Sequence, residues 1–156
     1  MRWVPLVLVV ALFGCGPQEK TGTGPGADAA PFPAAQAVID RVAAGHPNLT
    51  RLTLHAVPEG KTECTQIAST MPERRGKLSD PEDMKAMKTG EEIVLEEPGA
   101  LDVTVPILMV DGKPTAIAGV TLKMEEGADR EALLKEARAV AKELEKAVQA
   151  AGKPLW

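Results

Sequence analysis

The side chains most often used for metal binding or nucleophilic catalysis are scarce in this chain of 156 residues, which has two histidines and two cysteines. Neither His46 nor His55 has a histidine, cysteine or aspartate at a spacing typical of metal ligands. Cys64 has no base beside it in the sequence, although a neighbouring strand can bring His55 close. The sequence also lacks a glycine-rich phosphate loop before a helix and a nucleophile elbow. We therefore predict no enzymatic activity, no metal site and no cofactor.

Charge and aromatic content restrict the partners. The chain has 18 basic and 22 acidic side chains, for a net charge of −4. This balance argues against nucleic acid, because phosphate binding needs a clustered basic surface. No Phe, Tyr or Trp occurs between Pro33 and Leu155. That absence argues against aromatic cages for quaternary amines and stacking platforms for bases.

The N-terminus carries a targeting signal. Behind Arg2, residues 3–13 form an apolar run of eleven residues, which fits a signal peptide and is shorter than the roughly 20 residues of a membrane span. The run ends in Leu12-Phe13-Gly14-Cys15, which resembles a bacterial lipobox. The resemblance implies cleavage before Cys15, acylation of that cysteine and anchoring in the cell envelope. The alternative is a plain secretory signal that ends near an unmodified cysteine.

The chain divides into three parts on composition. Residues 1–14 are the expected signal peptide, and 15–35 combine the acylated cysteine with a tether rich in Gly, Pro and Ala. Residues 36–156 form the expected domain. Gly16 after the lipidated cysteine resembles the enterobacterial sorting signal for the outer membrane, on the periplasmic side. With Cys15 acylated, Cys64 is the remaining thiol. Three interpretations of it stay open: a buried apolar residue, a redox group, or one half of an intermolecular disulfide bridge.

Hydrophobic periodicity and turn residues predict an α+β domain. Ser79 or Asp80 is expected to cap a short helix, with Glu82 closing a capping box on Ser79. Asp129 is expected to cap a long C-terminal helix with one apolar stripe. The predicted elements are a helix over 34–44, strands over 51–56 and 64–69, a short helix ending at Gly90, a strand over 92–96, a hairpin over 101–124 and a helix over 130–150.

The hairpin can be predicted residue by residue. Asp111-Gly112 is a preferred two-residue type I′ turn, so it sets the register of both strands. In that register Val103 faces Val120 on an apolar face, and Asp102 faces Thr121 on the opposite, polar face. A shift of one residue would mix the two faces. Val105 belongs to the apolar face and is expected to be fully buried beneath the long helix.

The order of elements resembles the extracytoplasmic PAS-like sensor domains called Cache domains. The resemblance rests on that order and on two segments, IASTMPERRGKLSDPEDMKAMKTGE and VTVPILMVDGKPTAIAGVTL. It implies a five-stranded antiparallel sheet with the N- and C-terminal helices packed on one face. It also implies a small-ligand pocket on the other face, closed by the segment between the second and third strands.

In such a sheet the first strand lies beside the fifth, which gathers the polar side chains of three strands. The closing segment, 69–83, would bring Arg74 and Arg75 over them. An amino acid or a carboxylate would fit, with an amine on Asp102 and a carboxylate on one of the two arginines. The candidate ligand-binding residues are Arg51, His55, Arg74, Arg75, Asp102, Thr104 and Thr121.

Two functions from different classes remain open. The first is a membrane-tethered lipoprotein that binds a small polar metabolite and senses it or presents it to an envelope protein in trans. The second is a structural or assembly lipoprotein of the envelope that acts through protein contacts alone. In the second case the polar face would be ordinary solvated sheet surface.

Overall fold

A computed structural model describes residues 30–152 and 155–156. The predicted signal peptide, Cys15 and most of the predicted tether lie outside these residues. The elements are α1 (Pro33–Ala43), β1 (Leu49–Ala56), β2 (Thr65–Ser69), a 3₁₀ turn (Pro72–Arg74), α2 (Pro81–Thr89), β3 (Ile93–Glu97), β4 (Ala100–Val110), β5 (Lys113–Lys123) and α3 (Arg130–Ala150). No helix among the described residues has both the length and the apolarity to cross a bilayer.

The five strands form one antiparallel sheet in the order β2-β1-β5-β4-β3, which confirms the predicted α+β class and the placement of β1 beside β5. The predicted hairpin register is also confirmed, with Asp102 opposite Thr121 and Val103 opposite Val120. Asp111 and Gly112 have φ values of 50° and 75°. Positive φ at both positions is what a type I′ turn requires.

The apolar face of the sheet is covered by α1 and α3, so the N- and C-terminal helices share one side as predicted. α1 begins with Pro33 at its first turn, where a fixed φ and a missing N–H suit a helix start. Its first three residues therefore fall inside the segment predicted as tether, 15–35. The core contains no aromatic ring among its fully buried side chains and is built from Leu, Ile, Val and Ala.

Val105 is only partly buried, so the expectation that it is fully buried was wrong. It does lie on the apolar face, opposite Ala118. The pairing of β3 with β4 ends where Ile93 meets Thr104. From Val105 onward β4 is itself the edge of the sheet, which leaves this side chain partly open to solvent.

The polar face of the sheet is covered by α2, which packs against β4 and β5. The N-cap of α2 is Asp80, and its backbone N–H donates to Asp83 Oδ2 at 3.1 Å. The predicted pairing of Glu82 with Ser79 was wrong by one residue, because the cap is Asp80 and the third helical residue is then Asp83. Gly90 ends the helix in the left-handed region, with φ of 73°, as predicted.

Candidate functional site

The structure brings the polar side chains of β1, β4 and β5 together on the face beneath α2. Five of them are buried: Thr53, His55, Asp102, Thr104 and Thr121. They are not a solvated sheet surface, because α2 and the loop before it cover them. We call this group the polar cluster, and four of its members, His55, Asp102, Thr104 and Thr121, are among the candidate ligand-binding residues.

Asp102 obtains its positive partner from within the sheet. Arg51 Nη2 donates to Asp102 Oδ2 at 2.8 Å, and Thr121 Oγ1 donates to Oδ1 at 2.8 Å. Both partners of the ion pair are largely buried, with side chains 18% and 11% exposed. Arg51 lies opposite Thr121 in the β1–β5 register, so the pairing follows directly from strand order. The carboxylate of Asp102 is thus neutralised without any ligand.

The two loop arginines have different positions. Arg74 Nη1 contacts Asp80 Oδ2 at 3.1 Å at the mouth of the polar cluster, and both side chains are partly exposed. Arg75 Nε donates to the backbone carbonyl of Ser69 at 3.0 Å and does not line the cluster. Arg51 is the residue that pairs with Asp102, while Arg74 lines the same space at its mouth.

The deepest part of the polar cluster is centred on His55, which is 3% exposed. Its Nδ1 lies 3.0 Å from Ser79 Oγ and 3.3 Å from Asp83 Oδ2. Ser79 Oγ donates to Cys64 Sγ at 3.2 Å, so it accepts from His55 and the proton lies on Nδ1. Asp83 Oδ1 accepts from Thr104 at 3.3 Å.

Burial disfavours the charged forms of these groups. Burial lowers the pKa of His55 from 6.5 to about 3, so its imidazole is neutral at neutral pH. Burial raises the pKa of Asp83 from 3.8 to about 6, against the opposing effect of its hydrogen bond with the Asp80 N–H. Burial also raises the pKa of the Cys64 thiol, which keeps it protonated.

This arrangement does not match a nucleophilic triad. In a triad the imidazole joins acid and nucleophile through its two different nitrogens, whereas Ser79 and Asp83 both face the Nδ1 of His55. The hydrogen-bonding contacts of His55 with other described side chains involve Nδ1, and a Cβ at Gly119 would lie 3.2 Å from Nε2. Within the described ranges no group of three His, Cys, Asp or Glu side chains is placed to hold a metal ion.

The space inside the polar cluster is very small, with a volume of about 10 Å³. That volume is close to the minimum for one water molecule. Any larger ligand would require the loop or α2 to move. The space is lined by Arg51, Thr53, His55, Arg74, Asp80, Glu82, Asp83, Asp102, Thr104 and Gly119.

Ser79, Asp80 and Asp83 also belong to this site, although none of them was a predicted ligand-binding residue. Ser79 and Asp80 have the pattern of a helix start, and that pattern is also what places them over His55. Asp83 is buried because it is the third residue of α2 and turns back towards the sheet. No pattern in the sequence indicates which face of this short helix is covered.

No protein-family profile matches the chain, and no curated protein matches it. Among solved structures it is similar to the GAF domain of an Acinetobacter phosphoenolpyruvate-protein phosphotransferase, with a TM-score of 0.52, 16% identity and coverage of 80% of this chain and 85% of that one. A type II free methionine-R-sulfoxide reductase from Thermoplasma acidophilum gives a TM-score of 0.45, with 14% identity and coverage of 72% and 92%. The Agobacterium tumefaciens repressor BlcR gives a TM-score of 0.44, with 14% identity and coverage of 72% of this chain and 66% of that one. The first likeness shows that the chain has a GAF- or PAS-like fold.

The buried titratable pair predicts opposite pH responses for two variants. Between about pH 3 and 6.5 the unfolded chain protonates His55 and the folded chain does not, so acid lowers the free energy of unfolding. Asp83 has the opposite effect between pH 3.8 and about pH 6. There the folded chain holds more protons than the unfolded chain, so acid raises the free energy of unfolding.

Asp83→Asn is therefore expected to make the loss of stability in acid steeper, and His55→Gln to make it shallower. Urea unfolding at about pH 4.5 and pH 7 measures both slopes. If both variants keep the wild-type slope, the pair does not titrate in this way.

Proposed function

We propose that the protein is a membrane-tethered extracytoplasmic lipoprotein whose GAF- or PAS-like domain binds a small polar metabolite, a carboxylate or an amino acid, at the polar cluster. The metabolite would be sensed or presented to a partner protein in the envelope. The observation that carries this proposal is the burial of four ionisable side chains between the sheet and α2: Arg51, His55, Asp83 and Asp102.

The cost of that burial supports a functional role. Removing charged groups from water costs several kcal/mol per ion, and an apolar replacement of a buried ion pair is often at least as stable. The opposite face of the same sheet is packed with apolar side chains, so folding alone does not demand this chemistry. Carboxylates and guanidinium groups in one buried cluster can bind both charges of an amino acid.

Access to the polar cluster would depend on Arg74. Its contact with Asp80 is partly exposed, and such ion pairs contribute only about 0–1 kcal/mol. The backbone after Arg74 is held more firmly by two hydrogen bonds to β2. Gly76 N donates to Gln66 O, and Gln66 N donates to Lys77 O, both at 2.8 Å. Opening would therefore begin at the Arg74 side chain and the first turn of α2, and a ligand would stabilise the open state.

A metabolite panel of carboxylates and amino acids tests this proposal by thermal shift. A ligand at about 100 times its Kd adds roughly 2.7 kcal/mol of stability. Arg74→Ala is expected to reduce the shift by weakening the ligand's carboxylate contact. Arg75→Ala is the matched control, because the neighbouring arginine binds Ser69 O outside the cluster, and it should keep the wild-type shift.

The second candidate function, a structural or assembly lipoprotein of the envelope, is favoured by the volume of about 10 Å³ inside the polar cluster. Known small-molecule sites have volumes of roughly 300–1,000 Å³. If no compound in the panel shifts the melting temperature of the wild-type protein, this second function replaces the first.

The lipid anchor has its own test at Cys15. Cys15→Ala should leave an unprocessed precursor without acyl chains, because the thiol is the acceptor of the first lipid in the lipobox reaction. Phase partitioning in detergent and the mass of the mature chain measure the change. Cys64→Ala, at the other cysteine, should mature and partition like the wild type. Normal maturation of the Cys15→Ala variant would contradict the anchor.

A further inference from the structure

The tip of the β4–β5 hairpin exposes large apolar side chains. Met109 and Val110 are 49% and 57% exposed, immediately before the Asp111-Gly112 turn. Turns that face water are normally polar, and single exposed apolar residues need no explanation. Met109 and Val110 therefore place two exposed apolar side chains at one protruding tip.

The backbone directly before this tip is held in an unusual conformation. Leu108 has a φ of 53°, in the left-handed region, which costs an L-residue with a side chain roughly 1–2 kcal/mol. Its N–H donates to Glu145 Oε1 of α3 at 2.8 Å, and its carbonyl accepts from Thr115 Oγ1 at 2.7 Å. These two bonds fix the direction in which the tip leaves the domain.

Both ends of the described chain lie at the same end of the sheet as the tip. Leu155 and Trp156 line a hollow together with Leu108. Phe32, just before α1, lines another hollow with Pro58 and Thr65. Pro58 follows the end of β1 and Thr65 begins β2, and the end of β1 pairs with β5 near its start, at Ala116. The described chain therefore begins at the same end of the sheet as the hairpin tip.

We propose that this end of the domain rests on the lipid bilayer. The contact surface, which we call the tip surface, is formed by Leu108, Met109, Val110, Leu155 and Trp156. The inference rests on the lipid anchor of the proposed function. Fourteen residues, 16–29, separate Cys15 from Ala30 and span at most about 50 Å. That reach is long enough for the tip surface to rest on the bilayer that holds the anchor.

The chemistry of the tip surface fits a bilayer. Apolar side chains that enter the boundary between headgroups and acyl chains reach about 5–10 Å deep, and tryptophan is enriched at that boundary. The opposite end of the sheet is one strand length away. β4 has 11 residues, which corresponds to roughly 36 Å at about 3.3 Å per residue. A label at each end therefore distinguishes the orientation of the anchored domain.

The test uses the full, lipidated chain in vesicles of phosphatidylethanolamine and phosphatidylglycerol that carry a doxyl-labelled lipid. An environment-sensitive fluorophore is attached at Lys113→Cys, beside the tip, or at Glu126→Cys, in the exposed loop after β5. Cys64 is buried and is not expected to react. The tip label should lose roughly half of its emission, given that insertion depth, and the Glu126→Cys label should lose almost none. Adding Met109→Asp and Val110→Asp should abolish quenching of the tip label while the protein still floats with the vesicles.

The outcomes separate this inference from the anchor. Flotation without quenching of the tip label, or equal quenching of both labels, overturns the membrane contact and leaves the anchor intact. A blue shift of the tip label without lipid quenching would assign the surface to a second copy or a protein partner, which also overturns it. Failure of the lipidated chain to float overturns the anchor and the inference together.

Discussion

Replacing Arg51 with alanine is expected to lower the free energy of unfolding by about 3 kcal/mol, because it leaves a buried carboxylate without its cation. Arg51 donates to Asp102 at 2.8 Å, and both side chains are largely buried. The expected loss is at the lower end of the range for buried pairs, since Thr121 still donates to Asp102. Urea unfolding monitored by circular dichroism measures the change.

Two further variants make this result specific. Arg74→Ala removes a partly exposed ion pair with Asp80 and should cost less than about 1 kcal/mol. The double variant Arg51→Met with Asp102→Leu removes both charges and should recover most of the stability lost in Arg51→Ala. If Arg51→Ala and Arg74→Ala cost the same free energy of unfolding, the buried pair contributes no more than a surface ion pair.

Val103→Asp should prevent folding, since it places an unpaired charge in the centre of the core. Val103 is fully buried between β3 and β5 on the face covered by α3. Burying an unpaired carboxylate costs several kcal/mol, which is comparable to the whole stability of a domain of this size. Thermal unfolding or the yield of soluble protein reports the loss.

The same strand offers graded controls for Val103→Asp. Val110 is exposed at the hairpin tip, and Val110→Asp should change stability by no more than about 0.5 kcal/mol. Val105 is partly buried at the sheet edge, and Val105→Asp should fall between the two. If all three variants lose the same stability, the hairpin register or the extent of β3 is wrong.

Local sequence determined the elements whose signals are short-range and mutually consistent. The Asp111-Gly112 turn defined the β4–β5 register, because a two-residue turn leaves no freedom in pairing. The cap at Asp129 and the following apolar stripe defined α3 to its last residue. Where several polar residues compete for one cap, as Ser79 and Asp80 do, the boundary could be predicted only to within a residue.

Only the tertiary structure decided how the polar cluster is arranged. The sequence placed Asp102, Thr104 and Thr121 on one face, and the PAS-like resemblance added Arg51 and His55. Neither could show that Arg51 forms the ion pair with Asp102, that Ser79 lies over His55, or that the cluster encloses so little space. These features depend on how far α2 and its preceding loop approach the sheet. That distance is set by packing between segments far apart in the chain, and periodicity and capping signals act over only a few residues.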